Sequence, residues 1–342
     1  MERFLKSRYR IGEKMGESPF SVTYKGYLMG TEVPVVIKIY KRSALNSPLI
    51  NKLRPKVTKI ISLDHQNIAR VIDGDYGWQG FYFVREYVEG DNMDDYLLRG
   101  LPGWEVSTEI IKQVLGSLAV AHSNSILHGA INNRNIFMAS GNEVKLTDFI
   151  LEPGVRVNPT LLAEATAKDA AYMSPEQIRG EQLSNASDIY STGVVMYQLL
   201  TGSLPFNGDG GLKTALQHIS LEAESPSKLN PSIPEYLDDI VLKMLEKDPL
   251  QRIGSAKDVL DSLNSKRLIF KLPNQDLINL IYDDESEPIS YQEEAPKKQK
   301  KRRTGGFKLN KSGKKKLFIL LILIAVAAGL WYAFILSFIN LR

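Results

Sequence analysis

The chain is predicted to have an α+β fold, with a mainly β segment first, a larger helical segment after it, and one apolar helix near the C-terminal end. Three observations carry this. Tyr9 to Thr31 and Val33 to Tyr40 are rich in β-branched and aromatic residues, which suit a pleated, half-buried surface. Farther along, apolar residues recur at the three-and-four spacing that gathers them on one helical face. In Ser107 to Ser123 these are Ile110, Ile111, Val114, Leu115, Leu118 and Ala119; Asp188 to Thr201 and Tyr236 to Glu246 repeat the spacing. Pro102-Gly103 and Asn207-Gly208 punctuate loops between these helices. The third observation is Leu317 to Ile339, 23 residues without a charge. At roughly 1.5 Å rise per residue such a helix is about 35 Å long, enough to cross a hydrocarbon core of about 30 Å.

The 342 residues include no cysteine, which excludes disulfides, thiolate metal sites and thiol nucleophiles. The net charge of +4 hides a strong polarity along the chain. Residues 297–316 hold eleven Lys or Arg and no acid, whereas residues 1–296 carry 31 basic and 39 acidic side chains. Asp283 to Ala295 has six acids and few apolar groups, so residues 276–316 are predicted to be a disordered linker, acidic and then basic. Beside an apolar span the basic run is a topology determinant that rests on anionic lipid headgroups, each charge worth about 1 kcal/mol, and not a nucleic-acid site. The positive-inside rule then places residues 1–275 in the cytoplasm. A single-pass, tail-anchored protein of the plasma (inner) membrane is expected, with residues 317–339 spanning and 340–342 emerging. Met1 to Arg10 is charged and lacks the apolar core of a signal peptide. Ala325 and Gly329 form one small-residue step that could pair two spans into a homodimer.

Several short segments occur in a telling order. Val35-Val36-Ile37-Lys38 is followed by His128-Gly129-Ala130-Ile131-Asn132-Asn133-Arg134-Asn135, then Asp148-Phe149-Ile150, then Ser174-Pro175-Glu176. Beyond them come Asp188-Ile189-Tyr190-Ser191-Thr192-Gly193, Gly202-Ser203-Leu204-Pro205-Phe206 and Asp248-Pro249-Leu250-Gln251-Arg252. These resemble, in order, the V-A-I-K, H-R-D-x-x-x-x-N, D-F-G, A-P-E, D-x-W-S-x-G, G-x-x-P-F and late-arginine motifs of protein kinases of the bacterial Ser/Thr type. The resemblance implies a bilobal fold over residues 1–275, with an N-terminal lobe at about 8–87 and a C-terminal lobe at about 88–270. It also implies structural roles for His128 and Phe149 in a hydrophobic spine, a buried Glu176–Arg252 ion pair, and Asp188 capping the catalytic loop.

The same resemblance marks losses. The catalytic base, an Asp in the family, is Ala130, whose methyl group cannot take a proton. Of the glycine-rich loop only Gly16 remains, with Ser18 and Ser21 where glycines let the backbone close over phosphates. The helix glutamate that should hold Lys38 is Lys56, a like charge, and no Asp or Glu lies from Tyr40 to Leu63. Val36 and Phe137 add bulk around the adenine position, and Arg85 stands just before the hinge residues Glu86 and Val88. A buried guanidinium needs a partner, and Asp148 is the candidate; the alternative turns Arg85 out to solvent. Ile150 replaces the hinge glycine of D-F-G, and Asp169 stands where a threonine is usual. Thr160 and Thr166 remain possible acceptors for another kinase.

Lys38, Gly16, Glu86 and Val88 are what is left for a nucleotide, and Asn135 and Asp148 for a metal. The expectation is a pseudokinase acting as a scaffold or allosteric partner of an unidentified protein, with ATP and magnesium bound weakly or not at all. The alternatives are an atypical active Ser/Thr kinase and an ATP-sensing regulator without turnover.

Overall fold

The computed structural model describes residues 3–18, 21–41, 55–77, 80–149 and 170–270. Ile150, Thr160, Thr166 and Asp169 lie outside these residues, as do the linker 276–316, the apolar run 317–339 and residues 340–342. Among the described residues no helix is long and apolar enough to cross a membrane.

The N-terminal lobe is a six-stranded antiparallel sheet in the order β1-β2-β3-β4-β6-β5. Its strands are β1 (Arg3–Leu5), β2 (Tyr9–Glu17), β3 (Ser21–Leu28), β4 (Pro34–Tyr40), β5 (Val71–Gly77) and β6 (Gly80–Glu86). The predicted strand Tyr9 to Thr31 is thus two strands folded on each other. The lobe also starts earlier than residue 8, because β1 pairs with β2 and places Leu5 against Tyr9, both 1% exposed. Three residues are too few to show a period of two, which is why the pattern missed this strand.

Alternation along β4 decides which residues face the cleft. Val35, Ile37 and Ile39 join Tyr82 and Val84 of β6 in a small core on the outer side of the sheet, with Leu5 and Tyr9. The other set, Val36, Lys38 and Tyr40 on β4 with Phe81, Phe83 and Arg85 on β6, must face the opposite side. Tyr40, Phe81 and Phe83 there enter the main core, together with Val57 and Ile60 from α1, the helical residues 55–61. Register sets Val36 against Arg85 and Lys38 against Phe83.

That core runs on without a break into the C-terminal lobe. There α3 (Trp104–Ser123) packs on α5 (Asn185–Thr201), which is buried on nearly every face and is the hub of the lobe. Short strands β7 (Gly90–Asn92), β8 (Ile136–Ala139) and β9 (Val144–Leu146) form a small antiparallel sheet, with α2 (Met93–Leu97) beside it. α4 (Pro175–Arg179), α6 (Gly211–Ser220), α7 (Pro226–Leu229), α8 (Glu235–Met244) and α9 (Ala256–Ser265) complete the lobe. Gly193 lets α5 approach α8 closely, since a Cβ there would stand 2.9 Å from Met244 Cβ. The lobes are also joined through backbone: Leu146 N–H donates to Asn67 O and Ala69 N–H to Leu146 O, each at 2.8 Å.

Candidate functional site

The cleft between the sheet and the small β7–β9 sheet brings the Asp148 carboxylate together with two cations, Lys38 and Arg85. Lys38 Nζ donates to Asp148 Oδ2 at 2.7 Å, and Arg85 Nε lies 3.4 Å from Asp148 Oδ1. Arg85 is 6% exposed, so it is turned inward and not to solvent. Its Nη1 donates to the carbonyl of Glu86 at 3.0 Å, and its guanidinium carbon lies 5.7 Å from the Phe137 ring centre. Lys145 Nζ stands 3.4 Å from the Glu86 carboxylate. Val36, 3% exposed, fills the position across from Arg85, and Val88 is buried where the chain leaves the sheet. Burial favours the neutral acid at Asp148, but Lys38 and then Arg85 hold its carboxyl well below the usual carboxylate range. Burial likewise opposes the Lys38 charge, and Asp148 more than restores it, so that lysine stays protonated. Asp148 has φ +66°, the left-handed conformation that Asp tolerates better than most residues. Lys56, in the expected glutamate position, is half-buried on α1, and the carboxylate that meets Lys38 is Asp148.

The loop between β2 and β3 is closed on itself. Ser18 N–H donates to Ser21 O at 2.8 Å, Ser21 N–H donates to Ser18 Oγ at 3.0 Å, and the two hydroxyls lie 3.1 Å apart. Glu17, the last residue of β2, stands beside this loop and pairs with Lys14 and Lys41, whose hydrogen bonds push its carboxyl down to about 2. Gly16 is exposed, and a Cβ there would meet nothing within 4 Å.

The catalytic-loop segment is held by its structural residues. Asp188 Oδ1 accepts from Gly129 N–H at 2.7 Å, and Oδ2 accepts from His128 N–H and meets His122 Nε2, both at 2.9 Å. His128 is fully buried; its Nε2 meets Thr147 O at 2.8 Å, and its ring packs 4.6 Å from that of Phe149. Burial pushes its pKa down, so the ring is neutral, with Nδ1 accepting from Ala130 N–H. At the position of the base, the carbonyl of Ala130 accepts amide donors from Asn135 at 2.8 Å and Asn132 at 3.0 Å. Asn135 Nδ2 thus holds the loop's own backbone, which leaves the amide oxygen as the atom a metal would use. Below the cleft, Arg252 donates to both oxygens of Glu176 at 2.6 and 2.8 Å, and both side chains are buried.

Sequence reasoning overlooked one participant. Gln198 Oε1 accepts from Asn133 Nδ2 at 3.0 Å and Tyr172 OH at 2.8 Å, tying α5 to the catalytic loop and to the segment before Ser174. It stands at no motif position that would have drawn attention to it.

These groups set an acid limit on stability. Asp148 and Glu176 have folded pKa values below their unfolded ones, so their contribution is present above about pH 4.5 and is lost as pH falls further. His128 and His218, the latter pushed down to about 3 by burial, are likewise depressed, so theirs is lost on going below about pH 6.5. The denaturant midpoint should fall from pH 7 to pH 5 and fall more steeply below about pH 4. A midpoint that rises between pH 7 and pH 5 contradicts these assignments.

A strand lysine facing a carboxylate across two lobes, a capped catalytic-loop segment and a buried Glu–Arg anchor together define a protein kinase scaffold. The chain matches the protein kinase domain family over residues 9–263 and belongs to it. Its relatives include a probable serine/threonine-protein kinase of Clostridium perfringens, 31% identical over 287 residues, which are 83% of this chain and 42% of that protein. The serine/threonine-protein kinase PrkC of Bacillus subtilis is 30% identical over 321 residues, 87% of this chain and 50% of PrkC. A probable serine/threonine-protein kinase PknB of Lactococcus lactis is 28% identical over 305 residues, 84% and 48%. The chain spans about half the length of these relatives.

Proposed function

We propose that the chain is a pseudokinase anchored to the inner membrane through residues 317–339, serving as a cytoplasmic scaffold or allosteric signalling partner without phosphotransfer. The observation that carries this is the base position itself, where Ala130 offers a methyl group and its carbonyl is taken by two asparagine amides. Support comes from the fit of a magnesium nucleotide, which the residues as placed do not provide. Asp148 is neutralised by two cations, and the Glu86 carbonyl accepts from Arg85. The phosphate loop spends the Ser18 and Ser21 amides on its own turn, and the carboxylate of Glu17 stands beside it. A second reading, an atypical kinase or an ATP sensor, is favoured by the retained Lys38–Asp148 pair and by the relatives' names.

Phosphotransfer by the full chain decides between them. The purified protein should show no transfer to itself or to a generic Ser/Thr substrate with either magnesium or manganese ATP. Ala130→Asp should stay silent too, because a restored base would face a cleft that fails at the metal, the hinge and the loop. Transfer that vanishes in Asp148→Asn would establish the second reading. Transfer gained by Ala130→Asp alone would show that the other sites remain competent.

A further inference from the structure

We infer that Arg85 is a built-in cation that clasps the cleft shut without ligand, a role that rests on the pseudokinase reading. Its guanidinium ties β6 and its own exit carbonyl to two positions distant in sequence, Phe137 and Asp148. From β6 it reaches Asp148 just after β9, the carbonyl of Glu86 at the sheet's exit, and the face of Phe137 on β8. These are the carboxylate that a metal would need and the backbone acceptor that an adenine amino group would need. One side chain can serve both because guanidinium is planar, always charged and carries donors on separate nitrogens. A lysine in its place would offer one charged nitrogen.

Charge counting leads the same way. Lys38 and Arg85 against Asp148 leave one excess positive charge in a largely buried cluster, eased by a carbonyl oxygen and by the Phe137 and Tyr40 rings. A divalent cation brought to Asp148 would meet two cations already there, so it must displace one of them. Lys38 is the closer partner, at 2.7 Å against 3.4 Å for Arg85, and Arg85 is the one to be displaced. A ligand that must displace Arg85 binds with its affinity reduced by the population of the opened form. The closed arrangement of the lobes is then the resting state, and any partner surface that depends on it is presented without regard to nucleotide.

The test uses the full chain in detergent, melted with no ligand, with magnesium alone and with magnesium ATP, alongside hydrogen exchange over β6 and residues 144–149. Wild type should show no ligand-dependent rise. Arg85→Met should melt lower without ligand, exchange faster in both segments and bind magnesium ATP at least about tenfold more tightly. Arg85→Gln keeps a donor for Glu86 without the charge, so it should keep β6 protected and gain a response to magnesium alone. Arg85→Met with the melting, exchange and binding of wild type overturns the clasp. Should that variant fail to fold, Arg85→Gln without any magnesium response overturns it. Phosphotransfer by wild type would instead remove the pseudokinase reading, a different readout from any of these.

Discussion

Glu176→Ala should destabilise the protein by about 3–5 kcal/mol, enough to shift the denaturant midpoint strongly or to prevent folding. The reason lies in what is left behind. Arg252 is 1% exposed and cannot shed its charge, so removal of the carboxylate strands a guanidinium in the core. Many buried ion pairs can be exchanged for apolar residues at little cost. This one is different, because Arg252 also donates to the carbonyls of Ala186, Glu246 and Lys247. The double variant Glu176→Leu, Arg252→Met should therefore remain destabilised, with three carbonyls orphaned at about 1–3 kcal/mol for each buried group left unmatched. Equilibrium denaturation of the three proteins measures both effects. A loss below about 1 kcal/mol for Glu176→Ala would mean that the pair contributes no more than a surface one.

Asp188→Ala should cost about 3 kcal/mol or more. Its carboxylate takes the amides of His128 and Gly129 and meets the His122 ring, and the side chain is 2% exposed, so water cannot replace it. Asp188→Asn keeps one oxygen and should be milder. Hydrogen exchange gives the sharper readout: the amides of His128 and Gly129 should pass from among the slowest in the C-terminal lobe to fast exchange in the alanine variant. Unchanged protection at those two amides would show that the segment is held by other contacts.

Much of the architecture could be read from residue pattern because it depends on near neighbours. The apolar spacing of Ile110, Val114 and Leu118 requires one buried helical face whatever lies opposite. Helix starts were less visible. α3 begins at Trp104, three residues before the predicted Ser107, because Ser107 and Thr108 return hydrogen bonds to the carbonyls of Gly103 and Trp104 and so break the apolar period without breaking the helix. At the cleft, the losses at Ala130 and Ser18 are changes of residue type and could be seen directly. The pairing of Arg85 with Asp148 is one of two readings, and residue type alone does not choose between it and a solvent-facing side chain. The pairing follows from the register that sets Val36 against Arg85 and from the alternation that turns both toward Asp148, a contact 63 residues away. Gln198 escaped notice for the same reason, since its two partners come from elements distant in the chain.

Gly129 has a consequence for any substitution at its position. Its φ is +69°, in a region where a side chain carrying a Cβ costs on the order of 1–2 kcal/mol. Glycine carries no such cost, so the loop holds this conformation at ease. An arginine in this backbone conformation would have to meet that strain before any phosphate-reading role could repay it. Gly129→Arg alone is therefore expected to lower the denaturant midpoint and to give nothing in return.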